Sequence, residues 1–115
     1  MNIRLIIWLV CTGLSITGCA STSHTNRHDN MTREVAAYLL VAPKPTPTFT
    51  YIDRYDVVYK HGGKLGGYNQ RTNTVYVYKD GHVLYIEYHE IAHQHTKDED
   101  VAHRVAKHFA GKYKP

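Results

Sequence analysis

The residues best suited to chemistry lie in the last third of the chain. His89, Glu90 and His93 form the pattern H-E-x-x-H. On a helix, residues i and i+4 stack on one face, so both imidazoles can reach a single Zn²⁺. Glu90 lies about 100° further round the helix than His89. There it could act as general base, taking a proton from water that the ion has acidified. With nine His and four Glu among 115 residues, a shuffled chain yields about 0.02 such motifs, so chance is a poor explanation. The competing reading is two histidines on a solvated helix face, which needs no metal.

A catalytic zinc site takes three protein ligands and keeps an open position. His95, Asp98, Glu99, Asp100, His103 and His108 follow the motif. A second helix is expected over Thr96 to Gly111, with Val101, Ala102, Val105, Ala106 and Phe109 on its apolar face. On that helix Asp100 points away from the core and His103 points mostly outward. Asp98 points inward but stands at the helix start. His95 lies round the first helix from the His89–His93 face. Glu99 borders the buried face, as His89 and His93 border theirs, so Glu99 is the expected third ligand. A local role is also open to it. Thr96-Lys97-Asp98-Glu99 has the form of a capping box, with Thr96 as N-cap and Glu99 at N3.

The elements that must position these groups read as an α+β domain. Val83 to His95 is expected to be helical, with Leu84, Tyr85, Tyr88, Ile91 and Ala92 on one apolar arc. A small antiparallel three-stranded meander precedes it. Thr48 to Lys60 is rich in β-formers and reads as one strand, with a bend near Asp53 or Asp56. Lys64 to Asn69 is a second strand, weakened by Gly66-Gly67. Thr74 to Lys79 alternates, with Val75 and Val77 on one side and Tyr76 and Tyr78 on the other. Met31 to Ala42 reads as a short leading helix capped by Asp29 or Asn30, with Val35, Ala36, Leu39 and Leu40 on its apolar face. Pro43, Pro45 and Pro47 end it and impose an extended spacer. The fold is thus expected to run from an N-terminal helix through the meander to two C-terminal helices that carry the metal site.

The start of the chain reads as an address. Arg4 precedes the apolar run Leu5 to Val10, which Thr12, Gly13 and Ser15 interrupt before it could span a bilayer. Ile16-Thr17-Gly18-Cys19 resembles the lipobox of bacterial lipoproteins. That resemblance implies cleavage before Cys19, lipid on Cys19 and a membrane anchor in the cell envelope. Ala20, rather than Asp, follows the cysteine, which favours the outer membrane, facing the periplasm. The expected division is a signal peptide over 1–18 and a lipidated Cys19 with a flexible tether over 19–30. The leading helix and spacer cover 31–47, and the domain proper 48–115. Cys11 leaves with the signal, so the mature chain has no disulfide. The net charge of +4 is mild and spread out, and does not point to nucleic acid.

The second half resembles the zincins, the fold of zinc-dependent metallopeptidases. Thr72 to Val77 is similar to the hairpin and strand that precede their active-site helix. Glu99-x-x-Ala102-x-x-x-Ala106 is similar to the helix of small gluzincins whose Glu is the third ligand. The gap from His93 to Glu99 is shorter than in that group. Glu99 falls where the metzincin pattern H-E-x-x-H-x-x-G-x-x-H has its last His, and Thr96 where it has Gly. The resemblance covers about Leu65 to Ala110. It implies a lipid-anchored, zinc-dependent hydrolase of peptide bonds, with His89, His93 and Glu99 as ligands and Glu90 as base. Substrate would pair with an edge strand, either Lys64 to Asn69 or Thr74 to Lys79. A metal-binding or structural lipoprotein without catalysis is the alternative.

Overall fold

The computed structural model describes residues 23–111, with side chains from residue 27 onward. The expected signal peptide and Cys19 lie outside the described residues. The elements are α1 (Ser23–Leu39), β1 (Thr48–Ile52), α2 (Arg54–Tyr59), β2 (Gly66–Asn69), β3 (Thr74–Tyr78), α3 (Val83–Ala92) and α4 (Glu99–Ala110). This is the α+β order expected, with one helix more.

The sheet is mixed rather than an antiparallel meander. Its order is β1-β3-β2. β2 and β3 form the expected hairpin, but β1 runs parallel to β3, with Phe49 opposite Val75 and Tyr51 opposite Val77. The cause is local. Thr48 to Lys60 is not one strand, because the Asp53 carboxylate accepts the Asp56 N–H at 2.9 Å and caps a helix. Tyr55, Val57, Val58 and Tyr59 therefore become helical despite their β propensity. Val57 is buried, and the Tyr55 and Tyr59 rings lie 4.7 Å apart, one turn from each other. With α2 as the crossover, the chain returns on the far edge as β2, and β3 closes the gap in the middle.

The core sits between β3, α1 and the two closing helices. Val75 and Val77 are fully buried and cluster with Ile91, Ala92, Ala102, Val105 and Ala106. The strict alternation of β3 is thus the one the sequence implies. α3 is less simple. Tyr85, Tyr88, Ile91 and Ala92 are buried as expected, but Leu84 is 41% exposed and Glu87 is 0% exposed.

Glu87 is buried because α1 comes to meet it. The helix begins at Ser23, well before Met31, so Asp29 and Asn30 lie inside it and cap nothing. Residues 23–30 belong to the fold and are not a tether. Arg27 holds Glu87 with two hydrogen bonds, Nη1 to Oε1 at 2.8 Å and Nη2 to Oε2 at 3.0 Å. Tyr51 Oη donates to Glu87 Oε2 at 2.5 Å, and His28 Nε2 lies 3.2 Å from the same oxygen. Burial alone would raise the Glu87 pKa, but these donors and their charge hold it below the usual carboxylate value. Below this cluster Met31, Thr32, Val35 and Ala36 are buried against the core.

The proline-rich segment is neither helix nor strand over 42–47 and packs on the C-terminal end of α3. The Pro45 carbonyl accepts from Gln94 Nε2 at 2.7 Å and from Asn73 Nδ2 at 3.1 Å. Lys44 Nζ donates to the Gln94 carbonyl at 2.9 Å. The segment therefore forms one edge of a cleft beside the two closing helices.

Candidate metal centre

The two closing helices are joined by the short connection 93–98, which folds α4 back onto α3. His89 sits in the last turn of α3, and His93 is its C-cap. α4 starts with Asp98 as N-cap, its carboxylate accepting from Asp100 N and Val101 N. This corrects the capping-box alternative. Thr96 Oγ1 instead accepts from Asp98 N at 3.1 Å. Moving the cap by two residues places Glu99 at the first helical position, where its side chain is free of any capping bond and turns toward α3.

The predicted ligands meet. His89 Nε2 lies 3.1 Å from Glu99 Oε2, and His93 Nε2 lies 2.8 Å from Glu99 Oε1. The His89 and His93 rings are 4.9 Å apart, edge to face. Both histidines are largely buried, at 12% and 14% side-chain exposure, while Glu99 is 64% exposed and closes the site from outside. Glu90 is buried on the other side, with Oε2 at 2.7 Å from His89 Nδ1. His89, Glu90 and His93 form a group whose ligand atoms lie within 4.8 Å of one another and could hold a metal ion.

The hydrogen-bond inventory supports that reading. His93 Nδ1 donates to the Thr96 carbonyl at 2.9 Å, since a carbonyl can only accept. Its Nε2 then presents a lone pair toward the Glu99 carboxylate unless the ring carries a second proton. His89 likewise has a carboxylate at each nitrogen. Two imidazoles aimed at one carboxylate call for positive charge between them, as protons or as one cation. Burial opposes a charge on His89, but Glu90 and Glu99 outweigh it and raise its pKa above the ordinary value. For Glu99, slight burial acts upward, and the two imidazoles bring its pKa below the usual range.

The site lines a cleft of about 1050 Å³. β2 forms one wall. As the edge strand it offers unpaired backbone groups, whereas β3 is paired on both sides and cannot take a further strand. This leaves only the first of the two expected substrate strands. Gly66 is required there. A Cβ on it would run into Ile86 Cγ2 and lie 3.1 Å from Glu90 Oε2, so the strand can pass over α3 only without a side chain. Gly67 faces open space. Lys44, Lys64 and Lys97 line the rim.

The remaining histidines sort themselves by position. His95 also lines the cleft but joins no metal-competent group among the described residues. Burial first, and the Lys44 charge second, hold its pKa below the ordinary value. His108 packs its ring against Tyr38 at 4.7 Å, on another side of α4. Asp98 and Asp100 are exposed at the helix start. His103, expected to point outward, instead turns to the site. Its Nε2 is 3.8 Å from Glu99 Oε2, its ring is 4.6 Å from that of His89, and its Nδ1 is 2.8 Å from Tyr85 Oη. The i, i+4 spacing from Glu99 to His103 was the signal in the sequence that could have found it. No protein-family model, curated protein or solved structure gives a significant match to the chain.

Proposed function

We propose that the chain is a zinc-dependent hydrolase of peptide bonds, zincin-like in its second half and anchored in the cell envelope by lipid on Cys19. One observation carries the reading. Nε2 of His89 and Nε2 of His93 converge on the Glu99 carboxylate, beside a buried Glu90, in a cleft walled by a free edge strand. His89, His93 and Glu99 would hold the ion. Bound zinc would supply Lewis acidity toward a carbonyl and toward water. Glu90, buried beside the cleft, is placed to accept a proton from water and return it to a leaving amine. The backbone of β2 would align an extended peptide by strand pairing. The cationic rim of Lys44, Lys64 and Lys97 favours acidic peptides over basic ones.

A second reading is favoured by the short contact of Glu90 Oε2 with His89 Nδ1. A carboxylate in that place commonly serves to orient a ligating histidine. The protein would then be a metal-binding lipoprotein without catalysis.

The deciding experiment is metal content and peptidase activity of the full-length protein, purified in detergent without chelator or His tag. One zinc per chain is expected, lost in His93→Ala and weakened in Glu99→Ala. Glu90→Gln should keep the zinc and lose hydrolysis of an acidic peptide library. Zinc without hydrolysis in the wild type supports the second reading. A metal load indifferent to all these changes rules out both.

A further inference from the structure

We propose that His103 is a fourth ligand of this centre. Two helical i, i+4 pairs, His89 with His93 and Glu99 with His103, then grip one divalent ion between α3 and α4. The inference rests on the metal-centre reading above and adds a residue that the helix geometry alone had turned outward.

His103 is within reach of the other ligands. The ligand atoms of His89, Glu99 and His103 all lie within 4.8 Å of one another. Around a tetrahedral ion with bonds near 2.1 Å, neighbouring ligand atoms are about 3.4 Å apart. The distances from the Glu99 oxygens to the three Nε2 atoms are 3.1, 2.8 and 3.8 Å. They bracket that spacing for His89 and His103 at Oε2, while His93 meets Oε1, so His93 joins the same shell once the Glu99 carboxylate turns between the two helices.

Its ring is also oriented for coordination. A ligating histidine is commonly fixed through its other ring nitrogen by a carboxylate, a carbonyl or another polar group. All three histidines are held this way. His89 Nδ1 meets Glu90 at 2.7 Å, His93 Nδ1 meets the Thr96 carbonyl at 2.9 Å, and His103 Nδ1 meets Tyr85 Oη at 2.8 Å. The Tyr85 oxygen can accept from Nδ1–H, which leaves Nε2 as the coordinating atom. Tyr85 is 8% exposed and stands one turn before His89, so α3 supplies both a ligand and the group that aims its neighbour on α4.

Packing does not require this placement. The His103 side chain is 56% exposed and could extend into water, yet it lies over His89. His108, on the same helix, turns to Tyr38 and Phe109 instead. Abundance of histidine alone does not bring an imidazole here.

Three imidazole nitrogens and one carboxylate oxygen suit zinc and also cobalt, nickel or copper. Four protein ligands fill a tetrahedral shell. Hydrolysis needs an open position on the ion, so water would displace His103, the most exposed of the three histidines, or enlarge the shell.

The test is titration of the metal-free, full-length protein with Co²⁺, followed by its visible spectrum, together with Zn²⁺ affinity from competition with a chelator. His103→Ala should weaken Zn²⁺ binding about tenfold or more and change the cobalt spectrum. Tyr85→Phe should give a smaller loss in the same direction, and His108→Ala none. Circular dichroism checks that the exposed substitution leaves the fold intact, and His103→Gln repeats the test with a bulkier side chain. Wild-type spectrum and affinity in both His103 variants, with binding lost in His93→Ala, would overturn this inference and leave the three-ligand centre standing. No binding by the wild type would overturn both.

Discussion

Replacing Arg27 by Met should unfold this protein more readily than any surface change of similar size. Glu87 is 0% exposed, and Arg27 supplies two of its hydrogen bonds and the nearest full positive charge. Removing one partner of a buried pair costs about 3–5 kcal/mol, because the other charge stays buried. Arg27 itself is 40% exposed, and Tyr51 and His28 remain beside the carboxylate. Solvent screening and these donors reduce the expected loss to about 2–3 kcal/mol. The 89 residues 23–111 correspond at typical values to about 4–13 kcal/mol of total stability. The melting temperature should therefore fall by about 10–20 °C in a thermal scan followed by circular dichroism. Glu87→Met should cost less, since the guanidinium left behind can reach water. The double variant should return to within about 1 kcal/mol of wild type. The sign with pH follows from the lowered Glu87 pKa. Its contribution is fully present above the ordinary carboxylate value and is lost as pH falls through the lower, folded value. Arg27→Met should flatten that acid limb. A melting temperature within about 3 °C of wild type in Arg27→Met, equivalent to less than 1 kcal/mol, would refute the reasoning and mean that Glu87 is not held as an anion.

Other outcomes can be measured on the same material. Zinc at a hundred times its dissociation constant should stabilise the protein by about 2.7 kcal/mol, a rise of about 10–20 °C in melting temperature. His93→Ala should show no such rise. Gly66→Ala should cost about 1–3 kcal/mol from overpacking and weaken any activity, because the new Cβ presses on Ile86 and Glu90. Gly67→Ala, with open space around it, should be far milder in denaturant titration. Leu40→Gly should stabilise by about 1 kcal/mol. Leu40 has φ 58 and stands at the end of α1, where Leu40 N bonds Ala37 O and Val41 N bonds Ala36 O, an arrangement that favours glycine. Because Leu40 is 91% exposed, little packing is lost, and a lower melting temperature would contradict this account.

What the chain determines by itself is mostly local. The i, i+4 spacing of His89 and His93 sets both on one helical face whatever surrounds them. The alternation of Val75 and Val77 fixes which side of β3 is buried. Gly111, at φ 80, ends α4 where the sequence says it should. Glu99 could be ranked first because helix periodicity alone puts it at the border of the buried face.

Tertiary structure decided the rest, wherever a residue answered to a partner far along the chain or to a competing local bond. A flexible tether is expected over 19–30, yet the chain is helical from Ser23, and Arg27 there meets a carboxylate 60 residues away. Glu87 is a charged residue among the apolar ones of α3, and it is buried because α1 covers it and supplies Arg27. Thr48 to Lys60 reads as one strand, bent near Asp53 or Asp56, but β propensity is weak against a good cap, and Asp53 divides it into a strand and a helix. That break made β1 parallel to β3 and left β2 at the edge above the cleft. Thr96 had the form of a cap, but Asp98 took the role, which released Glu99 to face the histidines. His103 turned inward because Tyr85, eighteen residues earlier in the chain, reaches it only once α4 has folded back on α3. Periodicity reports the face a residue occupies; what that face meets depends on the packing of helices and strands that no local pattern encodes.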